Sequence, residues 1–191
     1  TTPVFASDEW EEVRLDIDEN CNPDIIAALP DLSDIETSSY DAIFSSHNIE
    51  HLFPHEVDIA LLEFNRVLKD DGYLLITCPD LKSVAKHVAE DKLLDVLYES
   101  PAGPISALDI LYGHRLSLQK GNHYMAHKCG FTRTVLMGLF NNAGFKAVTG
   151  AERQNLFDLW CIGSKDENAE QKSVEQILRS HLGLVEEVKV F

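Results

Sequence analysis

Apolar and polar residues alternate near the start of the chain in a way that predicts short strands. Residues 10–18 place Val13, Leu15 and Ile17 on one face, and short apolar runs follow at residues 25–29 and 40–46. Alternation with a period of two is typical of a half-buried strand. The polar residues 33–39 between the second and third runs predict a loop.

Helical spacing replaces this alternation after residue 53. Pro54 suits the first turn of a helix, and apolar residues recur from Val57 to Leu68 at intervals of three and four. Gly72 predicts the end of this helix before a fourth strand at residues 73–78. Further helices are predicted at residues 81–97, 132–142 and 166–182, a hairpin of strands at 146–154 and 157–163, and irregular structure at 98–131.

This order of strands and helices predicts an α/β sheet with helices on both faces. In such sheets the ligand binds beyond the carboxyl ends of the strands. Three of these ends carry polar or reactive side chains, at residues 16–18, 45–48 and 78–80. The sequence therefore predicts a binding site at this edge of the sheet.

Composition narrows the class of protein. The 191 residues, of which 45% are apolar, suit one domain with a real core. The net charge of −16 argues against a nucleic-acid or anionic membrane partner, and no apolar run reaches the ~20 residues of a membrane span. The four cysteines lie far apart, which favours reduced thiols in a cytoplasmic protein.

Residues 12–81 carry a resemblance to a known family. "EVRLDID" resembles a second strand ending in an acid, "YDAIFSSHNIEHL" a fourth strand and its turn, and "LLEFNRVLKDDGYLLITCPDL" a helix, turn and fifth strand. "AGFKAV" and "FDLWCIGSK" resemble a closing hairpin. The chain thus resembles the class I S-adenosylmethionine-dependent methyltransferases of the type 11 group. The resemblance implies a doubly wound, mostly parallel sheet with a C-terminal antiparallel hairpin, and S-adenosylmethionine as cofactor.

The resemblance also implies a set of cofactor residues. The acid that ends the second strand holds the ribose hydroxyls, the loop after the third strand reads adenine, and the end of the fourth strand meets the reactive methyl. The implied residues are Asp16, Asp18, Asp31, Leu32, Ser46 and His47. The family's glycine-rich loop has no counterpart before Trp10, so we expect an upstream segment to supply it together with the first strand.

Residues 113–133 are rich in histidine, lysine and arginine within an otherwise acidic chain. They overlap residues 98–131, where this family commonly inserts elements that recognise the acceptor. A neutral imidazole there could take a proton from a hydroxyl near pH 7. The candidate bases are His114, His123 and His127, and the candidate acceptor-binding residues are Asn48, His51, Arg115 and Tyr124. Alternatively, the cations of this segment pair with the acids of residues 1–100, where 23 acids face 6 bases.

The sequence thus predicts a methyltransferase-like domain at residues 1–165 and an appended helix and tail at 166–191. We expect methyl transfer to oxygen or nitrogen of a small or glycan-like acceptor, without a metal. One alternative is a non-catalytic binding or assembly module, in which the last helix could form a homodimer. Another is a zinc hydrolase, because His47, Glu50 and His51 fit the H-x-x-E-H pattern, although that pattern belongs inside a helix.

Overall fold

The computed structural model describes residues 2–183. Its strands are β1 (Leu15–Asp16), β2 (Ile25–Ile26), β3 (Tyr40–Ser46), β4 (Leu68–Pro79), β5 (Val96–Ser100), β6 (Gly103–Ser106), β7 (Val148–Arg153) and β8 (Asp158–Ser164). Its helices are α1 (Pro54–Val67), α2 (Leu81–Ala89), α3 (Ala107–Tyr112), α4 (Arg115–Gln119), α5 (Arg133–Asn142) and α6 (Gln171–Leu182). Short 3-10 helices cover Glu19–Cys21, Ile49–His51 and His123–Met125.

The main sheet has four strands in the order β3-β4-β8-β7. Strands β3 and β4 run parallel, whereas β8 pairs antiparallel with both β4 and β7. Strands β1 and β2 form a separate parallel pair, and β5 and β6 form a hairpin. The closing antiparallel hairpin predicted from the sequence is present as β7 and β8.

Helices cover both faces of the main sheet, as the alternation of strands and helices predicts. On one face α1 and α5 pack against residues of β4 such as Leu74 and Ile76. On the other face Val174 and Leu178 of α6 pack against Leu75 and the neighbouring residues of β8. The helix predicted as an appended element therefore covers the sheet with its apolar side, and the predicted tail at 184–191 lies outside the described residues. Within residues 2–183, no helix is long and apolar enough to cross a membrane.

Several boundaries differ from the sequence prediction. The first two strands hold two residues each, because most of residues 10–29 have irregular structure and residues 19–21 form a 3-10 helix. Helix α1 ends at Val67, and β4 begins at Leu68 and continues through Gly72, since Tyr40 pairs with Leu68 across a bulge. Helix α2 stops at Ala89, and Asp91 follows with a left-handed φ of 58°. Residues 98–131 are not irregular throughout, because they complete one hairpin and form two short helices.

A groove separates the β1-β2 pair from the main sheet. Strand β3 is an edge strand of the main sheet, and on the side away from β4 it pairs with no strand among residues 2–183. The groove has a volume of about 360 Å³, and its walls include Asp16 of β1 and Ala42 and Phe44 of β3. The carboxyl end of β1 therefore opens onto this groove.

Candidate functional site

The acids predicted to hold ribose lie at the end of β1. Asp16 is half-buried, and its Oδ1 accepts a hydrogen bond of 2.9 Å from the backbone N–H of Asp18. Asp18 in turn caps the 3-10 helix that follows, because its Oδ1 accepts from the backbone N–H of Asn20 at 3.0 Å. The Cys21 thiol also bonds to Asp16, but a carboxylate has about four lone-pair sites, so a diol could still bind to both acids.

Asp31 and Leu32, the two residues predicted to bind adenine, differ in burial. Asp31 is exposed, and a hydrogen bond from Ser33 lowers the pKa of its carboxyl. Leu32 is 3% exposed and packs into the larger core cluster. Its carbonyl accepts from Arg66 at 2.7 Å, so the backbone of this loop is fastened to α1.

The end of β3 carries the polar residues predicted near the reactive methyl. Ser46 is exposed, and its Oγ lies 3.1 Å from Oγ1 of Thr77 on the neighbouring strand. His47 follows with a left-handed φ of 52°, held by a 2.9 Å hydrogen bond from its N–H to the Thr77 carbonyl. The hydroxyl of Ser45 is buried without a hydrogen-bond partner among the described residues. The Ser45 hydroxyl is therefore the group at this strand end that is left for a further hydrogen bond.

Glu50 is a buried acid beside this strand end. It is 1% exposed and lies in the 3-10 helix Ile49–His51, next to Asn48, which is exposed. Oε1 of Glu50 lies 3.2 Å from Nδ1 of His47, whereas Oε2 has no hydrogen-bond partner among the described residues. Burial favours the neutral form of His47, but the hydrogen bond and charge of Glu50 outweigh it and raise the pKa of this imidazole.

The insertion brings a second histidine to Glu50. The backbone N–H groups of Lys128 and Cys129 donate to the Glu50 carbonyl at 2.9 Å and 3.3 Å. This anchor places His127 beside His51, with ring centroids 4.9 Å apart. Burial lowers the pKa of His127, and Glu50 opposes that shift only in part. The neutral imidazole is therefore the favoured form of His127 near pH 7.

The hydrogen bonds of the two rings define their tautomers. Nδ1 of His51 lies 3.1 Å from the Ala126 carbonyl, and Nδ1 of His127 lies 2.7 Å from the Ile110 carbonyl. A carbonyl oxygen can only accept, so each Nδ1 carries the proton in the neutral ring. Both rings consequently keep Nε2 as an unprotonated acceptor or ligand.

Arg115 and His114 have partners inside the insertion. The guanidinium of Arg115 binds Asp109 through Nε at 2.7 Å and Nη2 at 3.0 Å. Asp109 also accepts from Ser106, and although burial opposes the charged form, these hydrogen bonds hold the pKa of its carboxyl well below the usual range. His114 precedes α4 at the N-cap position, and its Nδ1 lies 2.9 Å from Oγ of Ser117. Asp109 is a residue that the sequence reasoning missed, and its only signal was the S-x-x-D spacing of a helix cap.

The predicted site residues thus fall into groups. His47, Glu50, His51 and His127 come together at the end of β3, with Asn48 next to them in the chain. His123 and Tyr124 are exposed on a separate 3-10 helix of the insertion. The H-x-x-E-H pattern does not form one helix, because His47 lies outside the short turn that holds Glu50 and His51.

Residues 4–76 match a protein family described as methyltransferase domain, of type 11. No curated protein sequence matches the chain. A solved S-adenosylmethionine-dependent methyltransferase from Archaeoglobus fulgidus is similar in fold, with a TM-score of 0.54 and 14% identity over 84% of this chain and 79% of that one. The family match confirms the resemblance over residues 4–76, and the Archaeoglobus fulgidus structure confirms the predicted class I methyltransferase-like fold.

Two further solved structures show weaker similarity. A methyltransferase from Thermotoga maritima has a TM-score of 0.48 and 17% identity, with 73% of this chain and 62% of that chain covered. The 1,6-didemethyltoxoflavin-N1-methyltransferase of Burkholderia thailandensis, solved with S-adenosylhomocysteine, has a TM-score of 0.46 and 14% identity, with 74% and 50% covered. The chain spans 62%, 43% and 61% of the first three structures that it matches, less than two thirds of their length.

Proposed function

We propose that this chain, whose residues 4–76 match the methyltransferase-domain family, is the catalytic domain of an S-adenosylmethionine-dependent methyltransferase. The observation that carries the proposal is the match itself, because it spans the strands whose ends bear Asp16 and Ser46. The acceptor is a small or glycan-like molecule methylated at oxygen or nitrogen. We also propose that the chain acts in the cytoplasm. Sedimentation velocity would show whether two copies form a homodimer.

On the cofactor side, the strand ends supply groups that suit a cationic, hydroxyl-rich molecule. Asp16 accepts hydrogen bonds from the ribose hydroxyls, and Asp18 supports it from two positions further along the chain. The loop at Asp31 and Leu32 lies against adenine, with the Leu32 backbone fixed by Arg66. Ser46 and His47 meet the methionine end of the cofactor.

The methyl transfer needs alignment more than acid–base chemistry. The sulfonium methyl is already activated, so the domain holds the acceptor atom in line with it. A hydroxyl acceptor additionally needs a base. The His47–Glu50 pair supplies one, because Nδ1 of His47 lies 3.2 Å from the Glu50 carboxylate and Nε2 is left to take the proton.

The predicted bases of the insertion have different surroundings. His114 is tied to Ser117 and His127 to the Ile110 carbonyl, whereas His123 is exposed. We assign this segment, with Tyr124, to acceptor recognition beside Asn48 and His51, and Arg115 to holding the segment through Asp109. Replacing His123 with alanine should leave the affinity for S-adenosylhomocysteine unchanged and slow turnover.

The proposal is tested by calorimetric titration with S-adenosylhomocysteine. Protein from the complete reading frame should bind with a stoichiometry of one, and the 191-residue chain is titrated beside it. Folded protein that fails to bind in both forms would overturn the proposal and favour the non-catalytic module.

The base assignment has its own test in the pH dependence of the rate. A neutral His47 is required, so the rate with a hydroxyl acceptor should rise with pH through a pKa above 6.5, the ordinary value for histidine. His47→Gln should lower kcat by about 10²–10⁴-fold and remove this dependence. An unchanged profile in His47→Gln would rule out His47 as the base.

A further inference from the structure

The structure groups three metal-ligating side chains, although no metal enters the methyl transfer proposed above. These are Glu50, His51 and His127, whose ligating atoms all lie within 4.8 Å of one another. Glu50 and His51 come from the turn after β3, and His127 reaches them from the insertion because Lys128 is anchored to the Glu50 carbonyl at 2.9 Å. The sequence pattern had placed His47 in this role instead of His127.

A buried, unpartnered oxygen points independently to a ligand at this place. Glu50 is only 1% exposed, and its Oε2 is buried without a hydrogen-bond partner among the described residues. A buried carboxylate oxygen without a partner costs free energy unless something positively charged or hydrogen-donating meets it. A metal ion at the three ligands would satisfy it.

The surroundings of the three ligands prepare them for a metal. His51 and His127 each donate Nδ1–H to a backbone carbonyl, at 3.1 Å and 2.7 Å, which leaves Nε2 of both rings available. The other oxygen of Glu50 is held by His47 at 3.2 Å. Metal-bound histidines and carboxylates are usually oriented by such outer hydrogen bonds. All three candidate ligands here have one.

We infer that Glu50, His51 and His127 bind a divalent transition-metal ion of the Zn²⁺ class. Two imidazoles and one carboxylate suit zinc, whereas Mg²⁺ and Ca²⁺ prefer sets made of oxygen alone. Zinc ligands at about 2.1 Å in a tetrahedron lie roughly 3.4 Å apart, so each pair of ligand atoms, now within 4.8 Å, must approach by at most about 1.4 Å. Three protein ligands leave a fourth position open.

The open coordination position could bind the acceptor, a role that rests on the proposed function. The ligands follow directly on β3, whose end we assign to the cofactor's reactive part. A metal-bound hydroxyl of the acceptor would lose its proton to the base His47 more readily, because the ion stabilises the oxyanion. Metal binding itself does not depend on this role.

The test is metal binding to the whole chain, measured without any methyl transfer. Protein stripped with a chelator is titrated with ZnCl₂ by calorimetry and with Co²⁺ by its visible absorption. One ion should bind per chain, with the intense d–d bands of a four-coordinate Co²⁺ site. A thousand-fold excess of Mg²⁺ should not displace it, and displacement by Mg²⁺ would contradict the imidazole ligands.

Variants identify the ligands. His127→Gln, His51→Gln and Glu50→Gln should each weaken Zn²⁺ binding by at least 100-fold, and His47→Ala by about 10-fold because it acts through Glu50. His55→Ala and His123→Ala are matched controls at exposed histidines and should bind like the unaltered protein. Circular dichroism in chelator verifies that each variant is folded.

Failure of this site is distinguishable from failure of the proposed function. Folded protein that binds S-adenosylhomocysteine but no stoichiometric zinc would overturn the metal site alone. Equal loss of affinity in the ligand variants and in His55→Ala would also overturn it, because it would indicate adventitious surface binding. Retained zinc affinity in His127→Gln would remove this residue from the ligand set.

Discussion

Two regions around the end of the main sheet are built in different ways. The ribose side, residues 13–38, uses two-residue strands and turns, and its acids bond mainly to their own chain neighbours, as Asp18 does to Asn20. The histidine side, residues 47–51 and 106–129, is held by contacts between segments far apart in sequence, such as Lys128 to the Glu50 carbonyl. Local turns leave a surface open to a ligand, whereas long-range anchors fix side chains relative to one another.

This difference has a consequence for substitution. Losing one side chain on the ribose side should affect ligand affinity more than folding, because few contacts depend on it. On the histidine side the same loss should cost stability, because buried partners are left behind. The following substitutions test that contrast, beginning with the largest expected effect.

Gly113→Ala should be the most damaging change. Gly113 has a φ of +98°, and a Cβ there would lie 2.0 Å from the Met125 carbonyl oxygen, in the segment that leads to His127. We expect a loss of about 2–4 kcal/mol in the free energy of unfolding, measured by urea denaturation. Gly121→Ala is the matched control, because φ is +89° but nothing lies within 4 Å of the added Cβ. Equal losses in the two variants would show that the close approach at Gly113 has no importance.

Asp109→Asn should come next. This acid is 4% exposed and binds both Arg115 and Ser106, so the change weakens a nearly buried ion pair whose arginine is half-exposed. The unfolding free energy should fall by about 2 kcal/mol. Asp41→Asn removes the exposed pair with Lys69 and should change it by less than about 0.5 kcal/mol. If Asp109→Asn lowers the unfolding free energy as little as Asp41→Asn does, Asp109 does not anchor the insertion.

The same carboxylate predicts a pH window. Its pKa is lowered on folding, so the stability that it contributes is complete above the unfolded value of about 3.9 and is lost as the pH falls toward the folded pKa. The difference in urea midpoint between the unaltered protein and Asp109→Asn should therefore shrink steadily below about pH 4. A difference that stays constant down to pH 2.5 would contradict the lowered pKa.

Asp18→Ala, on the ribose side, should cost less stability than either Gly113→Ala or Asp109→Asn. It removes the cap of a three-residue 3-10 helix, for which about 0.5–1 kcal/mol is expected in urea denaturation. A loss of 2 kcal/mol or more would indicate that this region is as tightly coupled as the histidine side.

The main features of the fold could be predicted from the sequence because they follow local patterns. The helical spacing from Val57 to Val67 and the apolar run of β4 identify their elements without any distant contact. The boundary between them could not be placed, since Leu68 becomes a strand residue only through pairing with Tyr40. Two-residue strands such as β1 likewise depend on a partner and have no periodicity of their own.

The candidate site was predictable only in part, for the same reason. The strand-end polar residues at 45–48 stand out because polar side chains directly follow an apolar run. The meeting of Glu50 with His127 involves residues far apart in the chain and is fixed by backbone hydrogen bonds, which leave no mark on the sequence. The H-x-x-E-H spacing consequently suggested His47 as a ligand, whereas the structure places it beside the carboxylate.

One titration series tests most directly whether the ribose side binds the cofactor independently of the histidine side. S-adenosylhomocysteine is titrated into protein from the complete reading frame and into its Asp16→Ala and His127→Gln variants. Asp16→Ala should weaken binding by about 5–150-fold, the equivalent of about 1–3 kcal/mol for hydrogen bonds to a charged group, and His127→Gln should leave it within about twofold. Unchanged affinity in Asp16→Ala, or an equal loss in both variants, would contradict a separate ribose side.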